Sequence, residues 1–335
     1  MPLDLAVDAH GLVKTYPGGR GQPDVRALDG LDLAVPAGTV HGLLGPNGAG
    51  KSTTTKVLTT LARAAEGTAR VAGFDVARDA AAVRRRIGYV SQGTGADGLL
   101  TPRENLAMAA RLRGASRADA TARARELVDR FGLGEAADRR TTCLSGGTRR
   151  KLDVALGLVD RPQVLFLDEP TTGLDPEARA SMWAEIRRLA GEDALTVVLT
   201  THYLEEADRL ADAVSIVDQG RVVVAGSPDE LKSTLAGDTL TVELVEPDAD
   251  AVRSAAARVA GLDDAVVHVE GPTGRLVART PDGSAVVAAV IAALRDAGVR
   301  HGAVAVSRPT LDDVYLRHAG RSWTAADATS KEAAR

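Results

Sequence analysis

Nine residues, GPNGAGKST at 45–53, constrain this chain more than any other stretch. The apolar run HGLLG at 41–45 reads as a strand that ends in the glycines, and residues 51–60 read as a helix that starts from them. Glycine at 45, 48 and 50 lets successive backbone N–H groups converge on one point, and the helix N-terminus adds its positive end there. That is a seat for phosphate. The spacing G-x-x-x-x-G-K-[ST] places Lys51 to reach β- and γ-phosphates and Ser52 to ligate Mg²⁺. A glycine turn beside an exposed lysine is the plain alternative for the same residues.

The rest of the first two thirds alternates apolar strands with helices, which predicts a parallel α/β sheet. Residues 3–16 and 26–35 read as strands separated by the turn-rich PGGRGQPD, and short strands are expected at 70–71 and 87–90. Residues 101–131 turn helical, with Ser116 and Asp119 as helix-start residues, and 146–159 continues as helix. VLFLDEP at 164–170 is a buried strand, 176–189 a helix with proline in its first turn, 195–200 a further apolar strand and 203–210 a helix. Composition shifts near 233–238. Beyond it come strand 239–245, helix 249–260, strands 265–270 and 275–280, helix 284–297, strand 303–307 and a short helix from Thr310. That βαββαβ order predicts a small α+β, ferredoxin-like module with GPTG at 271–274 as its hairpin turn. The residues from Arg321 onward are expected to be a disordered tail.

The strand 164–168 ends in Asp168, followed by Glu169. Behind a phosphate loop, Asp168 fits a Mg²⁺ partner and Glu169 fits a residue that polarises the attacking water. An acidic pair at a strand end also caps helices. LSGGTRRKLD at 144–153 runs two glycines into a basic helix and looks like a second anion seat. Its plainer reading is an N-cap: Ser145 caps, and Arg149, Arg150 and Lys151 are solvated. RRR at 84–86 reads as a solvated helix face. Taken singly, Tyr16, Gln92 and His202 are ordinary strand and loop residues.

Bulk properties narrow the class. The 335 residues carry a net charge of −4, so no global positive field would hold nucleic acid, and none is expected as a partner. Cys143 is the only cysteine, which excludes an internal disulfide and a cysteine metal cluster. MPLDLAVDAHGLVK lacks a basic start followed by a long apolar run, and no stretch approaches the ~18 apolar residues of a membrane span. A cytoplasmic location is therefore expected, with any membrane role exerted through a partner.

The order of these motifs resembles the ATPase subunit of ABC transporters over residues 3–235. Gly45, Pro46, Asn47, Gly48, Ala49, Gly50, Lys51, Ser52 and Thr53 match Walker A, and 164–169 match Walker B. Tyr16 matches the aromatic that stacks on adenine. Gln92 matches the Q-loop, which senses Mg²⁺ and the membrane partner. Ser145, Gly146 and Gly147 match the signature motif, Asp175 the D-loop and His202 the switch histidine at the γ-phosphate. Thr148 departs from the pattern, since glutamine is commonest there. The resemblance implies a P-loop NTPase core at 1–235, with a parallel-sheet RecA-like lobe, an antiparallel β subdomain and a helical signature lobe at about 93–160. The module at 236–320 is then accessory or regulatory.

It also implies that ATP and Mg²⁺ are bound, and that Glu169, His202, Gln92 and Lys51 serve catalysis. Two copies would close head to tail, so that the signature residues of one chain cover the nucleotide of the other, which explains two anion seats in one chain. The run 171–232 and the ending RPTLDDVYLRHAG resemble the daunorubicin/doxorubicin-resistance exporters. The expected partners are an ABC-2 type permease and a second copy of this chain, at the inner face of the membrane. The expected cargo is a drug or lipophilic metabolite. Related ATPases move lipids, polysaccharides or ions. A soluble ABC ATPase of DNA repair or the ribosome would usually carry long coiled-coil inserts, zinc motifs or two ATPase cassettes, none of which appears here, and in a P-loop metabolite kinase the signature motif, Gln92 and His202 would have no purpose.

Overall fold

A computed structural model describes residues 4–18, 23–235 and 237–320. The expected tail from Arg321, and much of the turn expected after the first strand, lie outside the described residues. The chain divides into two compact units, the first running to Pro228 and the second from Asp229 to Arg317.

The first unit opens with a long antiparallel hairpin, β1 (Leu5–Tyr16) and β2 (Val25–Pro36). The chain then leaves for β3 (Val40–Leu44), passes through the glycine loop and enters α1 (Lys51–Leu58). It returns with β4 (Glu66–Val71) and β5 (Phe74–Asp75) to complete an antiparallel sheet of order β2-β1-β4-β5. A short α2 (Ala80–Arg84) leads to β6 (Ile87–Val90). Next come the helices α3 (Pro102–Leu112), α4 (Arg117–Arg130) and α5 (Gly146–Gly157). The unit continues with β7 (Val164–Asp168), α6 (Pro176–Asp193), β8 (Thr196–Thr201), α7 (Leu204–Leu210), β9 (Ala213–Asp218) and β10 (Arg221–Gly226). The second sheet runs β10-β9-β3-β8-β7-β6, parallel from β9 to β6, with β10 antiparallel at the edge.

Its central strands are buried along their whole length, and largely apolar at their centres, because both faces are covered. Val164 and Phe166 of β7 pack with Leu43, Leu58, Leu31 and Leu33, on the side of the antiparallel sheet and α1. Leu165 and Leu167 alternate to the other face and pack with Leu106, Leu127, Phe131, Leu152 and Ile186 of the helices. The helix starts follow local chemistry. Thr101 and Glu104 form a reciprocal capping box ahead of α3, and Ser116 caps α4 by accepting from the Asp119 amide.

The sequence leaves β5, β9, β10 and a short α8 (Pro228–Ser233) unassigned and marks α2 only through the helix face at 84–86. The β9–β10 turn is Gln219-Gly220, at φ 48° and 76°, and it backs the glycine loop: Gly220 donates to the Ala49 carbonyl at 2.8 Å. The RRR run is also more engaged than a solvated face. Arg84 donates to the Thr60 hydroxyl, and the Arg86 guanidinium lies 4.5 Å from the centre of the Phe74 ring.

The second unit holds β11 (Asp238–Val245), α9 (Ala249–Ala256), β12 (Asp263–Glu270), β13 (Thr273–Thr280), α10 (Gly283–Asp296), β14 (Arg300–Ser307) and α11 (Leu311–Ala319), whose last residues pass its end. Its sheet is antiparallel in the order β12-β13-β11-β14, the split-βαβ arrangement expected from the sequence. Leu240, Val242 and Leu244 pack with Val252, Ala255, Val290 and Leu294, giving this unit its own core.

Candidate functional site

β3, β8 and β7 are neighbours and parallel, so the segments leaving their carboxyl ends gather on one edge of the sheet, the usual place for a ligand in an open α/β sheet. The segment after β3 is the glycine loop. A Cβ on Gly45 would stand 2.4 Å from the Val217 carbonyl oxygen. One on Gly50, at φ 113°, would stand 2.6 Å from that of Ala27. Only glycine admits this approach and turn. Lys51 is buried, and its ammonium donates to the carbonyls of Gly45 at 2.6 Å and Pro46 at 3.0 Å, so it lies folded back across the loop that precedes it. Asn47 and Gly48 form the outer rim and Ala49 the buried side, while Ser52 and Thr53 sit half-buried in the first turn of α1.

The segments after β7 and β8 meet that turn. Asp168 is buried and its Oδ1 accepts from the Ser52 hydroxyl at 3.2 Å and the Thr200 hydroxyl at 2.5 Å. Glu169 follows at φ 48°, a left-handed conformation costly for a residue with a side chain. Its amide donates to both the carbonyl and the hydroxyl of Thr200, at 3.1 Å each. Its carboxylate accepts from Gln92 Nε2 and Thr172 Oγ1, both at 3.1 Å, and His202 Nδ1 stands 3.2 Å away. The His202 contact is the main influence holding the Glu169 carboxyl below the usual carboxylate range. Partial burial opposes it, and Lys51 and Thr172 add to the lowering. Glu169 is therefore ionised at neutral pH, with its oxygens already in hydrogen-bonded positions. A carboxylate so placed can accept a proton from a water beside a bound phosphate.

Lys51, Ser52, Asp168, Glu169, Gln92 and His202 thus form one cluster. Tyr16, Asp175 and Ser145–Gly147 stand on other elements. Tyr16 ends β1, half-buried, with the Lys14 ammonium 5.1 Å from its ring centre. Asp175 caps α6 by accepting from the Ala178 amide at 2.9 Å. Ser145 caps α5: its hydroxyl accepts from the Thr148 amide at 3.2 Å and bonds the Thr148 hydroxyl at 2.8 Å. Ser145 therefore caps α5 in the single chain, but the basic residues after it are not all solvated as the N-cap alternative expects. Arg150 is buried instead of solvated, because the carbonyls at the ends of β6 and β7 surround it. Asp153, Thr200 and Glu206 likewise join the functional segments unannounced by any motif.

The family model for ABC transporters matches residues 28–172. The daunorubicin resistance ATP-binding protein DrrA3 of Streptomyces coeruleorubidus is 46% identical over 317 residues, covering 95% of this chain and 96% of its own. The daunorubicin/doxorubicin resistance ATP-binding protein DrrA of Streptomyces peucetius is 44% identical over 98% of this chain and 96% of its own. Among solved structures, the dimeric post-hydrolysis ATP-binding cassette MJ0796 bound to ADP and Pi superposes with a TM-score of 0.60 at 27% identity, covering 66% of this chain and 98% of that one. The chain belongs to the ABC transporter family, as an ATP-hydrolysing subunit. Over nearly its whole length it is similar to the daunorubicin and doxorubicin resistance ATP-binding proteins.

Proposed function

We propose that this chain is the motor of an exporter for a drug or lipophilic metabolite, closing as a head-to-tail homodimer on ATP to drive a separate ABC-2 type permease. The cargo reading rests on the relatives named for daunorubicin and doxorubicin resistance. Among the described residues no helix is long and apolar enough to cross a membrane, so the path for cargo is assigned to the permease. The chain then works on the cytoplasmic face, held at the membrane by that partner.

One observation carries the mechanism: Glu169 is ionised and fixed by Gln92, Thr172 and His202 beside the loop of Lys51 and Ser52. The loop amides and Lys51 bind the β- and γ-phosphates, and Tyr16 stacks on the base. The Ser52 hydroxyl and Asp168 carboxylate, 3.2 Å apart, are hard oxygen donors of the kind Mg²⁺ takes together with substrate phosphates, and Gln92 adds a third. When bound, that ion would neutralise negative charge on the substrate phosphates. Glu169 takes the proton of the attacking water and His202 orients the γ-phosphate. Ser145, Gly146 and Gly147 of the second copy, with Asp175 beside them, close the site by adding donors at a helix N-terminus. Loss of the γ-phosphate removes those contacts and the pair opens.

The test is Glu169→Gln. Turnover is expected to fall about 10²–10⁴-fold, the usual worth of a general base, while ATP accumulates a dimer in size-exclusion chromatography. Near-normal turnover would remove Glu169 from this role. For the cargo, vesicles holding the co-purified permease are expected to take up lipophilic cationic drugs only with ATP. Uptake of none of them, in vesicles that still hydrolyse ATP, would reject the drug reading.

A further inference from the structure

Arg150 and Asp153 lie one turn apart on α5, at 8% and 5% exposure. The Arg150 guanidinium donates to four main-chain carbonyls: Pro170 at 2.8 Å, Ser91 at 2.7 Å, Asp168 at 3.0 Å and Glu169 at 3.3 Å. Asp153 accepts from the Thr94 hydroxyl at 3.0 Å and the amides of Gly95 at 2.9 Å and Ala96 at 3.3 Å. A buried guanidinium needs acceptors somewhere, and a fold anchor would take any that were near. These acceptors are more particular. Three are consecutive and have Glu169, in its left-handed conformation, at their centre. The fourth is the residue before Gln92, and Asp153 holds the other side of the same loop. Gln92 itself donates to Glu169. The two side chains thus bracket both residues that meet at the proposed water-activating carboxylate.

We propose that Arg150, assisted by Asp153, is a positioning residue for ATP hydrolysis. It fixes the backbone of Glu169 and the loop of Gln92, and it ties both to the helix whose first turn carries Ser145–Gly147. Arg150 lies about 7 Å along the axis from Ser145 by helical rise. Any shift of α5 as its first turn meets a partner's nucleotide therefore reaches this chain's own Glu169 through one rigid fork. The inference rests on the proposed roles of Glu169 and Gln92, and it assigns a role to two residues that act through them.

Arg150→Lys keeps the charge and removes the fork. Steady-state ATP turnover is expected to fall about 10–100-fold, the scale of a misplacement near 1 Å, with KM and fluorescent-ATP affinity within about threefold of wild type. Because Arg150 acts through Glu169, adding Arg150→Lys to Glu169→Gln is expected to cost less than about twofold further in single-turnover hydrolysis. Asp153→Asn is expected to show the same split, and to be non-additive with Gln92→Ala. Additive losses, unchanged turnover, or a penalty confined to nucleotide affinity would overturn the proposal while leaving slow hydrolysis by Glu169→Gln intact. Normal turnover in Glu169→Gln alone would instead remove the role of Glu169, and this inference with it. If Arg150→Lys fails to fold, Asp153→Asn decides. Failure of both to fold would make the pair a fold anchor and overturn the positioning role.

Discussion

Glu206 on α7 is fully buried, and one of its oxygens accepts from the Thr171 hydroxyl at 2.8 Å and the Trp183 indole at 3.1 Å. Its second oxygen makes no hydrogen bond. Burial pushes its carboxyl above the ordinary value of 4.5. The neighbouring Thr201, Thr171 and Trp183 donors, and the nearby Arg179 charge, only partly offset this. A raised folded-state pKa means that the folded chain holds the proton more tightly than the unfolded one. The matching stability is complete below the ordinary carboxylate range and is lost as pH rises through the folded value. Glu206→Gln keeps the acceptor for Thr171 and Trp183 and removes the titration. Its stability relative to wild type is expected to improve from pH 5 to pH 8, by about 1.4 kcal/mol for each unit of raised pKa crossed. Urea denaturation at the two pH values measures this, and a difference independent of pH would count against an ionisable, burial-strained Glu206.

Helix starts bring together local chemistry and the proposed dimer, and Asp175 separates the two. Its side chain caps α6 in the single chain, so Asp175→Ala is expected to lose about 1 kcal/mol of stability in urea titration. Asparagine caps as well as aspartate, so Asp175→Asn is expected to hold stability within about 0.3 kcal/mol and to lower turnover only through the contact across the dimer. Equal turnover for Asp175→Asn and wild type would leave Asp175 as a cap alone. Elements written by local rules were legible in the sequence. β3, β7 and β8 are buried along their whole length and carry apolar runs at their centres, and the cap at Ser116 announces α4. The β9–β10 hairpin was not, because its turn begins with Gln219 where asparagine or glycine is usual for positive φ. In the site, the glycine loop and the acidic pair were legible from spacing. Arg150 was hidden because its acceptors lie 18 to 59 residues away and only tertiary structure turns that side of α5 inward. RRKLD taken alone is a basic helix start.

At the scale of the whole molecule, the second unit has a core of its own, and both proposed anion seats, at 45–53 and 144–148, lie in the first unit. Within that unit the seats stand on separate elements. Lys51 folds across the loop after β3, and Ser145 caps α5 with its hydroxyl turned to Thr148. Two copies in head-to-tail symmetry would make each working site from the Lys51 of one chain and the Ser145 of the other. Complementation follows from that geometry. Lys51→Ala removes nucleotide binding from its own loop, and Ser145→Arg blocks closure on the partner's nucleotide, so each variant alone is expected to be inactive. In a mixed dimer both lesions fall in the same composite site, and the other site receives an intact Lys51 and an intact Ser145. Random pairing of equal amounts makes half the dimers mixed, each with one sound site of two. With sites working independently, activity is expected to recover to about a quarter of wild type. A steady-state phosphate-release assay on the mixture reads this directly. Activity no higher than the sum of the two variants would mean that each chain hydrolyses ATP with its own residues and that the second seat is only a helix cap.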